Sequence, residues 1–517
     1  MTVQRFLAST VVAALTVTGC SDQPAPTAPG AIGHPLSADL SHHQPGRYIV
    51  LFAAEQVPAD FGERVATLGG SVEASLDDVG VATVTGLTAT AAADLAVAPE
   101  VHAVESDGTI TVDIDGVDAA GAFTESTAGG TFTPADATAS PTAAQFYPRQ
   151  WNMRAVFADQ AWAAGLLGSR DVKVAILDSG IDYTLPDFAG LVDLGRSKSL
   201  APEEDPVVAE RYPGRLSISD LLAHGTAVAS IIGSNGSRLA AVNRDITLIA
   251  VKIWNRFNQG AFSRVLSGIV YAADQGADVI NVSGSYTFDK SMNPGIVAAM
   301  NRAANYAFRK GALLISVAGN FADDLDHNGD TVRLPCEAAH AICASATGPA
   351  AAVGPNGPWE NVDAMAAYTS FGRSAVDVAA PGGAGDFSNP DPVLSGTQFR
   401  RMWILCTTTA AEALFGACKA GLPIAQPFGT SFAAAHVSGL AALLVAQLGH
   451  GKPGRIRSRI LHSADDLGAP GKDPYYGWGR INIARALGLL GGIDRDKDED
   501  KADESRVVVM GRPNRKE

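Results

Sequence analysis

Phe428-Gly429-Thr430-Ser431-Phe432-Ala433-Ala434-Ala435-His436-Val437-Ser438-Gly439 is a polar turn that runs into an apolar, alanine-rich helix ending near Leu448. Ser431 stands at the mouth of that helix. Taken alone, a serine there predicts a cap, its hydroxyl accepting a bond from a first-turn amide. The same amides and the helix dipole can also hold negative charge that develops beside the hydroxyl, if a base lies within reach. What the rest of the chain brings to this turn therefore decides the fold and the chemistry.

With 517 residues and 46% hydrophobic content, the chain is long enough for one large core plus accessory pieces and is not a mostly disordered protein. A formal net charge of -15 leaves no dominant basic surface, which excludes a nucleic-acid partner. Residues 1–20 combine one cation, Arg5, an apolar run from Phe6 to Val17, and the sequence Val17-Thr18-Gly19-Cys20. This is an export signal. Its end resembles a bacterial lipoprotein signal, which makes Cys20 the expected lipid attachment site. The alternative is an incidental cysteine beside a general signal-peptidase cut. No other apolar stretch reads as long and uninterrupted enough to span a bilayer.

Export places the other four cysteines where disulfides form. Cys336 lies near Cys343 and Cys406 near Cys418, so local pairing is the simplest of the three connectivities. Neither pair has Cys-x-x-Cys spacing and no His-Glu-x-x-His run occurs, which disfavours zinc chemistry.

Along the chain, residues 21–45 are an Ala/Pro/Gly linker. Residues 46–111 read as a small α+β unit in strand-helix-strand-strand-helix-strand order, with strands at Arg47 to Phe52, Val81 to Thr85 and Val101 to Asp107. Residues 112–145 read as an exposed linker open to proteolysis. From 146 to 491, buried-type strands at Lys173 to Leu177, Ile246 to Ile253, Val279 to Val282 and Leu313 to Val317 alternate with helical stretches. That pattern predicts a mostly parallel sheet covered on both faces, with its site at the carboxyl ends of the strands. Asp178, Ser283 and Asn320 fall just past such ends, and His224 and Ser431 open helical runs. Residues 492–517 are a charged tail that cannot fold alone.

An aspartate, a histidine and a serine in that order can serve as orienter, base and nucleophile. The local sequences are more specific. Val174-Ala175-Ile176-Leu177-Asp178-Ser179-Gly180-Ile181-Asp182, His224-Gly225-Thr226-x-Val228-Ala229 and Gly429-Thr430-Ser431-x-Ala433-x-x-His436-Val437-x-Gly439 together resemble the subtilisin-like serine proteases, and Ser316-Val317-Ala318-Gly319-Asn320 resembles that family's oxyanion segment. The resemblance implies an α/β, three-layer subtilisin-like fold preceded by a small ferredoxin-like domain. It implies that Ser431 attacks the scissile carbonyl, His224 takes its proton, Asp178 holds the imidazole, and Asn320 with the Ser431 amide holds the oxyanion. Ser283, Gly284 and Ser285, with Ala318 and Gly319, would bind substrate backbone and wall the first specificity pocket, for which the family expectation is a large apolar side chain.

By the same resemblance, residues 46–111 are an inhibitory propeptide, cut off in the 112–145 linker, so that maturation releases the enzyme from a lipid anchor. The expected partners are protein or peptide substrates, the chain's own propeptide and, before maturation, a membrane. The expected location is the bacterial cell envelope, or outside the cell after processing.

The chain also departs from the family. Phe432 replaces the usual methionine and Ala435 the usual proline, and the loop Ser234-Asn235-Gly236-Ser237-Arg238 lacks the asparagine-rich calcium loop. No cofactor is implied as required. Calcium is the one ion the family brings into view, with no complete site in the sequence and Asp187 as the single matching ligand. Asp324 to Asp330 opens like an EF-hand loop but has Pro335 at position twelve, which favours a plain polar loop. Two rival readings are a catalytically silent peptide binder, which would be expected to have lost one of the four site residues, and a lipase, which would normally show Gly-x-Ser-x-Gly. His436, inside the helix, is read as a packed histidine and not a second base.

Overall fold

The computed structural model describes residues 43–111, 140–385, 397–409, 418 and 424–490. Cys20 with its signal, residues 112–139 of the linker and the charged tail lie outside the described residues.

Seven parallel strands form the main sheet, in the order Val378–Pro381, Ile342–Thr347, Leu313–Val317, Val279–Val282, Gly168–Asp178, Asp245–Lys252 and Lys198–Ser199. Strand alternation sorts the side chains: Val174 and Ile176 enter one core and Ala175 and Leu177 the other. With both faces covered, these strands read in sequence as unbroken apolar runs. On one face lie helices His224–Ile232 and Thr430–Leu448, and on the other Phe262–Asp274 and Pro294–Arg309.

Helix Thr430–Leu448 is buried at every position from Thr430 to Val445. Among the described residues it alone is long and apolar enough to cross a membrane, but its apolar surface is enclosed by the sheet and neighbouring helices. Gly439 permits that enclosure, since a methyl group there would stand 2.6 Å from Val242 Cβ.

The N-terminal unit has the element order read from the sequence, with strands His43–Phe52, Ser71–Leu76, Val81–Thr85 and Val101–Thr111 arranged 2-3-1-4. Ile49, Leu51, Val79 and Val81 pack into the core beneath helices Phe262–Asp274 and Pro294–Arg309, so this unit is docked on the larger one. Pro141 and Ala144 are buried, so the large unit begins a few residues before Phe146, inside the stretch read as linker. Both expected disulfides are present, Cys336–Cys343 and Cys406–Cys418.

His436 is packed as expected. Its Nδ1 donates to the Phe432 carbonyl at 2.7 Å and its Nε2 accepts from Asn152 Nδ2 at 2.9 Å. Burial pushes its pKa down to about 4, against a smaller opposing effect of the Phe432 carbonyl. The unfolded chain therefore binds a proton near pH 6.5 that the folded protein refuses until about pH 4, and stability falls as pH drops through that window. In denaturant titrations, with Ser431→Ala in both proteins to prevent self-digestion, the wild-type His436 protein should lose about 3 kcal/mol relative to His436→Gln between pH 7.5 and 4. Parallel pH profiles for the two would contradict this.

Candidate active site

Asp178 closes strand Gly168–Asp178, and His224 opens the neighbouring helix. His224 Nδ1 lies 2.9 Å from both Asp178 carboxylate oxygens, and both side chains are inaccessible to solvent. An Nδ1–H donor in this position fixes the tautomer and leaves Nε2 as the basic nitrogen. Gly225 makes the approach feasible, since a side chain there would collide with the Gly180 carbonyl and crowd Asp178. The Trp254 and Phe432 rings lie 6.1 and 6.3 Å from the imidazole. Phe432, unusual at its position, is thus wholly buried packing beside the base.

Ser431 sits in the first turn of its helix. Its Oγ donates to the Ser283 carbonyl at 3.0 Å and Ser283 Oγ donates back to the Ser431 carbonyl at 3.2 Å. Asn281 donates to Ser283 Oγ at 2.8 Å and accepts from Ser438 Oγ at 2.9 Å, tying strand Val279–Val282 to the helix. Asn320 follows strand Leu313–Val317, and its Oδ1 accepts from Thr430 N at 2.9 Å and Thr430 Oγ1 at 2.7 Å. These bonds turn the donor end of the amide, Nδ2, away from Thr430. The structure thus gathers a carboxylate, an imidazole, a hydroxyl at a helix N-terminus and a carboxamide around the carboxyl ends of parallel strands.

A model of the Subtilase family matches residues 169–479, more than half of the chain. The chain belongs to the subtilase family. Thermophilic serine proteinase of Bacillus sp. (strain AK1) is 29% identical over 345 residues, covering 65% of this chain and 67% of that protein. Thermitase of Thermoactinomyces vulgaris is 27% identical over 349 residues, covering 67% of this chain and 99% of thermitase. Among solved structures, the epidermin leader peptide processing serine protease of Staphylococcus aureus matches with TM-score 0.65 at 20% identity, over 86% of this chain and 99% of that one, a likeness of fold. As a member of this family the chain is a serine-type endopeptidase.

In this subtilase the N-terminal unit also pairs with the larger unit through its backbone. Its last strand pairs antiparallel with Gln259–Ala261, with Thr109 opposite Ala261, Ile110 opposite Gly260 and Thr111 opposite Gln259. Just upstream, Glu105 accepts from the amides of Gly295 and Ile296 at 2.5 and 2.9 Å, and Asp107 accepts from Ser263 N and Oγ at 3.1 and 2.6 Å. Each carboxylate caps the first turn of one of the two covering helices, where the dipole favours negative charge.

The residues around Asp187 do not fit a calcium ion. Its carboxylate accepts from Arg238 N at 2.7 Å, Leu239 N at 3.2 Å and Ser234 Oγ at 3.3 Å, and pairs with Arg238 Nη1 at 3.2 Å. Those partners are donors, one of them cationic, whereas calcium is held by several oxygen acceptors. Among the described residues no three His, Cys, Asp or Glu side chains converge on a metal site. Asp326 in the EF-hand-like run is likewise engaged, by Arg373 N, Ser374 N and Ser374 Oγ.

Asp220 was not legible as a site residue. Its Oδ1 accepts from Ser179 Oγ, Leu222 N and Ala223 N at 2.8–2.9 Å, and its Oδ2 from Thr226 N and Oγ1 at 2.9 and 2.6 Å. Ser179 Oγ in turn accepts from Gly225 N at 2.9 Å. One carboxylate thereby grips the flanks of both Asp178 and His224, and holds Ala223 at a φ of +88°. Burial raises its pKa, against the opposing bonds from Thr226, Ala223 and Leu222. Behind it, Lys252 Nζ, itself buried, donates to the Ser219 carbonyl at 3.0 Å and pairs with Glu204 at 3.5 Å. Thr407 and Thr409 donate to the Asp220 carbonyl, while Thr408 N and Oγ1 each reach Asp182 at 2.7 Å.

The only sequence signal was an acid four residues before His224. Asp220→Asn keeps the size but turns one acceptor into a donor facing donors, and each lost bond to a charged group is worth about 1.5–3 kcal/mol. We expect kcat on a peptide ester to fall about 10- to 100-fold with KM changed less than about threefold. An unchanged kcat in a folded Asp220→Asn protein would contradict the positioning role.

Proposed function

We propose that this subtilase is an exported endopeptidase that works by an Asp178–His224–Ser431 triad and is made as a zymogen inhibited by its N-terminal unit. The observation that carries the reading is the imidazole held at 2.9 Å by Asp178, with Phe432, the residue after Ser431 at the helix N-terminus, packed against it at 6.3 Å between ring centroids. A serine hydroxyl is a weak nucleophile near neutral pH, so the reaction needs a neutral base to take its proton as it adds to the carbonyl. Asp178 supplies the tautomer and stabilises the imidazolium that forms. The hydroxyl must leave the Ser283 carbonyl to engage His224, a rotation about one bond. Negative charge then develops on the former carbonyl oxygen, where Asn320 Nδ2 and the Ser431 amide serve as donors. Such a donor is worth about 2.7–4 kcal/mol, a magnitude known from subtilisin itself. His224 returns the proton to the leaving amine, and water repeats the sequence on the acyl-enzyme.

The strand pairing at Gln259–Ala261 supports an inhibitor bound as an added strand, the mode by which extended peptide is recognised through its backbone. Lipid attachment at Cys20 would put the anchor on the inhibitor's side of the cut, so that processing frees the peptidase from the membrane.

An intact-mass time course of purified signal-less protein, wild type beside Ser431→Ala, tests nucleophile and zymogen together. Wild type should break between Thr111 and about Gln145 while Ser431→Ala stays whole. Two intact proteins that are also inert toward casein would sink the reading.

A further inference from the structure

We propose that Arg333 turns the first specificity pocket toward acidic side chains, so that this subtilase cleaves after Glu or Asp. The inference rests on the peptidase reading above. The two expected pocket walls, Ser283-Gly284-Ser285 and Ala318-Gly319-Asn320, leave adjacent strands, and Ser316 Oγ, two residues ahead of the second, donates to the Gly284 carbonyl at 3.3 Å. From Ser285 the chain enters strand Tyr286–Asp289, which pairs antiparallel with Thr331–Leu334 and sets Arg333 opposite Thr287.

The guanidinium reaches back to both walls. A methyl group built on Gly319 would stand 3.3 Å from Arg333 Nη1 and 3.4 Å from Ser285 Oγ. Gly319 has no side chain to keep the cation away. With its side chain only 4% exposed, Arg333 is not a solvated surface charge.

Arg333 Nη2 pairs with Asp323 at 2.5 Å, and the Phe321 ring centroid lies 5.3 Å from Cζ. Asp323 thus bonds the fork at Nη2, and Nη1 lies toward Gly319. A guanidinium carries five N–H donors, more than one carboxylate can use. A carboxylate entering between the walls would gain charge-assisted bonds away from water. A large apolar side chain would instead offer the guanidinium no further acceptor, and a lysine would meet like charge. The family expectation of a large apolar residue is therefore replaced for this chain. The sequence that continues from Thr111, the last residue paired with Gln259–Ala261, is Val112-Asp113-Ile114-Asp115, which offers carboxylates next along the chain.

The test uses processed enzyme and peptide p-nitroanilides that differ only in the residue before the scissile bond: Glu, Asp, Phe, Leu or Lys. Active serine is counted by labelling with a fluorophosphonate. Wild type should favour Glu over Phe at least tenfold in kcat/KM. Arg333→Gln should lower that ratio at least tenfold, Arg333→Lys should keep most of it, and Asp323→Asn should raise it by removing the competing acid. The proposal is overturned if labelled wild type prefers Phe or Leu, or if it prefers Lys and loses that preference in Asp323→Asn. A protein that neither labels nor cleaves any substrate would instead overturn the underlying peptidase reading.

Discussion

A helix enclosed on every side must satisfy its first-turn amides from within the protein, and helix Thr430–Leu448 is such a helix. Water cannot reach these groups at leisure, so the fold brings acceptors to them. Asn320 is one, taking both the amide and the hydroxyl of Thr430. The site follows from this demand: a buried helix mouth is a place where negative charge is welcome, and the strand ends that close over it deliver the residues able to create that charge. The parallel sheet matters because its carboxyl ends lie on one side, bringing Asp178, Ser283 and Asn320 near one point despite wide separation in sequence.

Much of this was legible in sequence, for a physical reason. Strands buried on both faces carry near-continuous apolar runs, so Val174 to Leu177 and Leu313 to Val317 announce themselves without neighbours. The segments around Asp178, His224 and Ser431 stand out because each joins a strand end or helix start to an unusual run of small residues, where tight approach leaves little choice. Gly225, wedged between Gly180 and Asp178, is one case. Asp220 and Arg333 were not legible. Each acts through partners in distant segments, Asp220 through Ser179 and Arg333 through Gly319, and no local pattern encodes such a meeting. A charged residue within an apolar stretch, as Arg333 is between Val332 and Leu334, was the one visible hint. Thr407, Thr408 and Thr409 were similarly opaque, since nothing in the sequence told that they reach the loops carrying Asp182 and Asp220.

The contact between the two units is unequal in kind. Apolar packing from Ile49, Leu51, Val79 and Val81 supplies adhesion, while Glu105 and Asp107 supply registry by capping two helices whose N-termini lie at fixed positions. None of these contacts depends on the covalent link between the units. Breaking the chain after the last strand would leave the edge occupied, and release would then be governed by dissociation and by digestion of the departing piece.

The clamp on Asp187 differs from an ion site in one further respect. A captured ion stabilises by mass action, so its effect rises and falls with the free concentration outside. Arg238 is tethered a few residues from the loop it fastens, and its guanidinium is delivered at unit stoichiometry whenever the chain folds. Chelators and dilution have nothing to remove. At this one position, the loop that follows the helix carrying His224 is closed by the gene product alone, independent of the mineral content of the surrounding medium.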